Sequence, residues 1–263
     1  MCTLIALHRC FPGVPLLIAA NRDEYFDRPS ESPRVRAGER LRNVSPRDLR
    51  AGGTWLGVNE TGVFAAVTNR RCMNPDPSRL SRGELVTRAL DAANASEAAR
   101  ALEALPSDAY NPFNFFVADR NEAFCATYEN EAQVTSLGAG AHVVGNLPPD
   151  ETDAPKIARV RAEAEAARAG TLDEARAALR EICREHDTGG PHGPLDDTCV
   201  HLPSYGTRSS TLFELHDEPR NGRLLYAEGS PCRAEYDDFT VLLHELSPSA
   251  RYVGEEEPTR KAS

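Results

Sequence analysis

Strand-like stretches in this sequence come in blocks, with helix-like stretches grouped between them. A doubly wound parallel sheet needs a helix after nearly every strand, so that architecture is excluded. Two antiparallel sheets packed face to face, with helices outside, fit the order, and the expected class is α+β. Residues 3–10 and 16–21 are apolar with β-branched members and flank Pro12-Gly13-Val14-Pro15, which predicts a hairpin. Residues 54–58 and 63–69 flank Asn59-Glu60-Thr61-Gly62 and predict a second. Residues 113–119, 123–128, 133–137 and 142–145 read as strands, as do 199–202, 207–215, 223–228 and 239–243. The stretch 27–50, rich in Arg, Pro and Ser, reads as a long surface loop. Ser81-Arg82-Gly83-Glu84 has the form of a capping box and predicts a helix of about a dozen residues. Thr171-Leu172-Asp173-Glu174 has the same form and opens a helix to His186. Residues 96–105 and 154–169 complete the helices, the latter stopping at Gly170. No repeat or linker divides the chain, which predicts one domain over 1–246 and an acidic tail over 247–263 that frays.

The net charge of −10 argues against nucleic acid as a partner, because phosphate binding needs a basic face. No apolar run approaches the roughly 20 residues of a membrane span, and no basic-then-apolar leader opens the sequence. The cytoplasm is the default compartment. Only Lys156 and Lys261 are lysines. Seven cysteines are widely spaced without a C-x-x-C pair, so neither a zinc knuckle nor a redox motif is indicated. No metal site is expected. His201, two residues after Cys199, is a conceivable metal or haem ligand, but a lone pair is a weak ligand set.

Met1-Cys2 carries the first chemistry. Removal of Met1 would leave a thiol and a free α-amine on one residue. Such an amine titrates near 8 and can take the thiol proton, directly or through a water. Position alone is a weak signal. The hairpin strengthens it, because a turn at 12–15 returns Asn21-Arg22-Asp23-Glu24 beside residue 2. Asp23 could then hold the amine, and Arg22 could lower the thiol pKa or meet a substrate carboxylate. A plain salt-bridged strand end is the competing reading.

These residues resemble the NRDE family, which includes the transport and Golgi organisation 2 homologues. The resemblance runs through Met1-Cys2-Thr3, Ala19-Ala20-Asn21-Arg22-Asp23-Glu24, Gly52-Gly53-Thr54-Trp55-Leu56-Gly57, Thr68-Asn69, Arg82-Gly83-Glu84-Leu85-Val86, Gly145-Asn146 and Tyr205-Gly206-Thr207-Arg208. It implies an N-terminal-nucleophile hydrolase fold, a four-layer αββα sandwich. It also implies kinship to choloylglycine hydrolases and acyl-coenzyme A:isopenicillin acyltransferases. On that basis Cys2 matches the nucleophile, Asn21 and Asp23 an Asn-x-Asp pair, Asn69 and Asn146 the asparagines near oxyanion or substrate, and Arg208 a late arginine near the nucleophile. The relatives' first arginine falls at Ala20, and Arg22 stands two residues later, on the same face of a strand. Trp55 and Thr207 are candidates for substrate contact, with core packing an equal contender for the tryptophan. For each asparagine a turn or cap role competes.

The activity implied is hydrolysis or acyl transfer at an amide or thioester of a small acyl substrate, without a cofactor. The alternative is a non-catalytic protein that binds or carries haem, acyl-coenzyme A or lipid. Nothing in the sequence bears on oligomeric state.

Overall fold

A computed structural model describes residues 2–148 and 154–246. The chain opens with β1 (Thr3–Phe11) and β2 (Val14–Tyr25), which pair antiparallel as the expected hairpin. The residues expected to form a surface loop over 27–50 instead hold β3 (Ser30–Ala37) and β4 (Arg42–Asp48), an antiparallel pair. Their arginines are accommodated because β3 is an edge strand with one polar face, and Arg36 reaches Glu31 and the Ser45 carbonyl. β5 (Leu56–Asn59) and β6 (Phe64–Asn69) form the second hairpin.

Helix α1 (Arg82–Ala89) is shorter than expected, and Ser81 caps it without a side-chain hydrogen bond. Asn59 gives the physical reason for the early stop: its side-chain amide binds the carbonyls of Leu90 and Ala92, which a longer helix would need. α2 (Ala95–Glu103) follows, then β7 (Phe113–Ala118), β8 (Ala123–Tyr128), β9 (Ala132–Leu137) and β10 (Gly140–Val144). α3 (Pro155–Arg168) and α4 (Leu172–Arg184) form a helical pair, and the capping box at Thr171 and Glu174 is complete. β11 (Tyr205–Leu215), β12 (Arg223–Glu228) and the two-residue β13 (Asp237–Asp238) follow. Residues 199–202 make only a single bridge, His201 to Gly206. Residues 239–243, expected as a strand, open helix α5 (Thr240–Leu246) instead. A short apolar run cannot be told from a buried helix by periodicity, and Asp238 accepts from the Thr240 amide at its start. The expected tail lies outside the described residues.

The strands form two sheets with antiparallel ladders, ordered β10-β1-β2-β11-β12-β13 and β3-β4-β5-β6-β7-β8-β9. Three apolar cores separate four layers. One lies between the sheets, built from residues such as Leu4, Ile18, Phe64 and Phe116. The second packs α1 and α2 on the seven-stranded sheet, and the third packs α3 and α4 on the six-stranded sheet. The αββα expectation holds. Among the described residues no helix is long and apolar enough to cross a membrane.

Candidate active site

Strand alternation decides what faces what. Along β2, Leu16, Ile18 and Ala20 enter the core between the sheets, while Leu17 and Ala19 enter the core under α3 and α4. Arg22 continues the first set, and Asn21 and Asp23 the second. On β1, Leu4 and Ala6 belong between the sheets, so Cys2 shares that face. Thr3 pairs with Asn21, which brings Cys2 level with Arg22. Arg22 thus occupies the face that the residue at position 20 would have used.

Cys2 lines two cavities. Burial pushes its thiol pKa up, and the Asp23 charge adds to this; the Asp23 backbone and the Arg22 guanidinium pull it down.

The larger cavity holds about 290 Å³ between the ends of the two sheets. Arg22 stacks on the Trp55 ring, 4.3 Å from its centroid, and lies 3.4 Å from an Asp48 oxygen. Arg28 binds the same oxygen through Nε at 2.7 Å. Burial works against the Asp48 charge, but the Ala51 and Arg50 amides and Arg28 outweigh it and hold the carboxyl below its usual range. Arg22 and Arg28 are therefore matched by fixed carboxylates, with Glu24 3.9 Å from the first and 3.4 Å from the second. Arg82 is different. It donates to the Pro112 carbonyl at 3.1 Å and makes no ion pair among the described residues. Burial, then Arg28, lower its pKa, and the Cys2 charge opposes them. Glu24 acts on it in the same sense as Cys2, but no carboxylate of the described residues pairs with it directly.

Two glycines bring Arg82 there. A side chain on Gly53 would meet the Gly83 backbone, with its Cβ 2.5 Å from the Gly83 carbonyl carbon. Thr54 N–H donates to the Gly83 carbonyl at 3.3 Å. The start of α1 thus lies directly on the chain that leads into β5, an approach that Gly53 permits by having no side chain.

The smaller cavity, about 50 Å³, lies on the other side of Cys2 and is lined by Asn146, Lys156 and His192 among others. The loop carrying Asn146 is pinned: the Gly145 carbonyl accepts from Thr68 Oγ1 and from Asn114 Nδ2, and Asn114 also donates to the Leu147 carbonyl at 2.7 Å. Asn146 donates to the Asn69 carbonyl, so these two asparagines meet beside Cys2, although one amide hydrogen of Asn146 is thereby engaged. Lys156 Nζ is buried without a hydrogen-bond partner among the described residues. Burial pushes its amine pKa down while the Asp23 and Cys2 charges resist. Burial likewise pushes the Asp23 carboxyl up, resisted first by Lys156.

Cys2, Arg22, Asp23, Trp55 and Asn69 therefore converge on the larger cavity, and Asn146 meets Cys2 on the smaller one. Three candidates take other places. Asn21 donates to the carbonyls of Cys183 and Thr198, tying β2 to the helical layer. Thr207, expected to touch substrate, is 1% exposed and lines neither cavity; it donates to Asp23 Oδ1 at 2.6 Å and accepts from the Val200 amide. Arg208 also lines neither cavity. It is the extra residue of a bulge between Thr207 and Ser209, which turns it outward to the Phe26 carbonyl and ring. Sequence reasoning missed Lys156, Asp48 and the cationic role of Arg82. The rarity of lysine was the available signal for Lys156.

The layers and the cysteine at the start of β1 define an N-terminal-nucleophile hydrolase fold. A penicillin V acylase from Agrobacterium tumefaciens superposes with a TM-score of 0.59 at 18% identity, over 95% of this chain and 89% of its own. A conjugated bile acid hydrolase from Clostridium perfringens gives 0.53 at 13% identity, covering 92% and 93%. At these identities the likeness is one of fold. The chain belongs to the Transport and Golgi organisation 2 family, whose model matches residues 1–228. The human Transport and Golgi organization protein 2 homolog is 29% identical over 75% of this chain and 81% of its own length. The mouse homolog is 27% identical over 82% and 86%.

Proposed function

We propose that this chain is an N-terminal-cysteine acyl hydrolase or acyltransferase acting on an amide or thioester of a small, anionic acyl substrate. One observation carries the reading: Cys2 lines two cavities, one of which presents the half-buried guanidinium of Arg82, which makes no ion pair among the described residues. Removal of Met1 would free the Cys2 α-amine on the residue that bears the sulfur. The neutral amine takes the thiol proton, and the thiolate attacks the acyl carbon. The carbonyl electrons move onto oxygen, where the side-chain amide of Asn69 or the free hydrogen of Asn146 can receive them. Collapse expels the amine or thiol, which leaves with the proton held by the α-ammonium. Water or an acceptor then releases the acyl group from sulfur. Arg82 orients the substrate's anionic end, and the Trp55 face covers its apolar part.

Turnover of N-acyl amides and acyl-coenzyme A by the wild type and by Cys2→Ala, with the intact mass of each, tests this. Turnover lost in Cys2→Ala supports it, and equal turnover in both sinks it. A second reading is binding without turnover, with haem, acyl-coenzyme A or a lipid as ligand. Burial that pushes the Cys2 thiol pKa up, and an Arg22 shared with Asp48, favour it. Ligand retention by Cys2→Ala, with no turnover by either protein, is the outcome that selects it.

A further inference from the structure

Four side chains that lie far apart in sequence meet at one corner of the six-stranded sheet. Cys199 follows the loop after α4, and its amide donates to the Glu185 carbonyl at 2.8 Å, which draws it back to the helix end beside His186. His201 lies two residues on, held by its bridge to Gly206. Cys232 comes from the turn after β12.

The distances among their donor atoms are the informative feature. Cys199 Sγ is 3.5 Å from Cys232 Sγ, His201 Nε2 is 3.2 Å from Cys232 Sγ, and Cys199 Sγ is 3.6 Å from His201 Nε2. A tetrahedral zinc ion, with Zn–S of about 2.3 Å and Zn–N of about 2.0–2.1 Å, sets its ligand atoms roughly 3.3–3.8 Å apart. Three atoms therefore already form a face of that tetrahedron to within a few tenths of an ångström. The exposed His186 ring is centred 5.4 Å from that of His201, and ligand atoms of His186, His201 and Cys232 lie within 4.8 Å of one another; Cys199 is outside that set, so His186 becomes the fourth ligand by turning its side chain inward toward the other three. A disulfide between the two cysteines would use the sulfurs alone and leave without purpose an imidazole nitrogen that touches both.

We propose that Cys199, Cys232, His201 and His186 bind one zinc ion. The donor set, two thiolates and two imidazoles, is the soft S2N2 combination that selects zinc over hard cations. Binding releases one proton from each thiol, and both cysteines ligate as thiolates. All four positions are filled by protein, which is the arrangement of a structural site. Its place in the fold gives it a task. Thr207, which donates to Asp23, is held on one side by the Val200 amide and on the other by the Ser230 hydroxyl. Val200 lies between Cys199 and His201, and Ser230 two residues before Cys232. The ion would clamp the two segments that fix Thr207, and through it Asp23. The proposal uses none of the Cys2 chemistry and stands apart from it.

The test is metal analysis of the full chain isolated without chelator, and cobalt titration of the reduced, metal-stripped protein with circular dichroism to confirm folding. The expected result is one zinc per chain and, with cobalt, the thiolate-to-metal charge-transfer band and intense visible bands of a tetrahedral sulfur site. Cys232→Ser and His201→Ala should each weaken cobalt binding at least about tenfold. Cys72→Ser, an exposed cysteine outside the cluster, should leave it unchanged. Absence of zinc together with absence of the cobalt bands in folded wild-type protein overturns the proposal. So does cobalt affinity that neither Cys232→Ser nor His201→Ala alters.

Discussion

Replacing Gly53 with alanine separates two reasons for which a glycine can be needed, because its neighbour Gly52 needs the other. An added Cβ on Gly53 would lie 2.5 Å from the Gly83 carbonyl carbon, 2.7 Å from its oxygen and 2.9 Å from the Glu84 nitrogen. Ordinary contact begins at 3.4 Å, so the two segments must part by about 0.9 Å, and every obstructing atom is backbone. Overpacking of this kind costs about 1–3 kcal/mol, and the rigidity of the obstruction places Gly53→Ala at about 2–3 kcal/mol. Gly52, at φ +81°, has nothing within 4 Å of its added Cβ. Its requirement is conformational, so Gly52→Asn should cost under about 1 kcal/mol, since asparagine tolerates the left-handed region. Gly53→Asn should remain as costly as Gly53→Ala. Urea unfolding measures these differences, and the single tryptophan, Trp55, lies on the cavity beside the glycines and reports locally. In Gly53→Ala the start of α1 also moves, carrying Arg82 away from Cys2, so ligand affinity should fall with stability. If Gly53→Ala unfolds within about 0.5 kcal/mol of wild type, or Gly52→Asn is the more damaging change, the close-approach reasoning is refuted.

Two further outcomes test the frame of the site. Asn114→Asp keeps the shape but points a carboxyl at the carbonyls of Gly145 and Leu147; losing two donors costs about 2–4 kcal/mol, and Asn146 should lose its fixed position beside Cys2, seen as altered alkylation of Cys2 by peptide mass spectrometry. Glu214 joins β11 to α4, binding Arg176 at 2.6 and 2.9 Å and His216 at 3.0 Å; burial raises its pKa but these partners outweigh burial and lower it. Its folded value lies below the unfolded 4.5, so its contribution is present above that pH and is lost as pH falls below it. Glu214→Gln should therefore cost about 1–2 kcal/mol at pH 7, discounted for the part-exposed Arg176, and the gap from wild type should close on acidification below pH 4 in urea titrations at each pH.

The parts of the fold that local chemistry dictates were legible. Pro12-Gly13 and Asn59-Glu60-Thr61-Gly62 specify hairpins whatever surrounds them, and the hairpin logic placed Arg22 and Asp23 beside Cys2. The misses have tertiary causes. β3 and β4 carry little apolar pattern, and their partners in the ladder make them strands. Thr240–Leu246 is helical because Leu242, Leu243 and Leu246 close one end of the core between the sheets. Arg208 points outward because of a bulge that no residue type announces. Lys156 was visible as a rare residue, but its place beside Cys2 depends on how α3 packs against the six-stranded sheet. The cluster at residues 186, 199, 201 and 232 spans three segments with no motif spacing.

The hairpin of β1 and β2 also makes the site a question of odd and even. Cys2 stands opposite Arg22 because Thr3 through His8 pair with partners whose parity matches their own, and losing one residue from those runs would turn the thiol from guanidinium toward asparagine. There is one spare. Between the His8–Leu16 and Phe11–Val14 pairs, β1 has two residues where β2 has one, and Arg9 takes up the slack at φ 54°. A chain shortened by one at Arg9 or Cys10 would zip into a regular ladder and still set Cys2 against Arg22. Length variation in this hairpin among working relatives should therefore be sought at that bulge, or in steps of two.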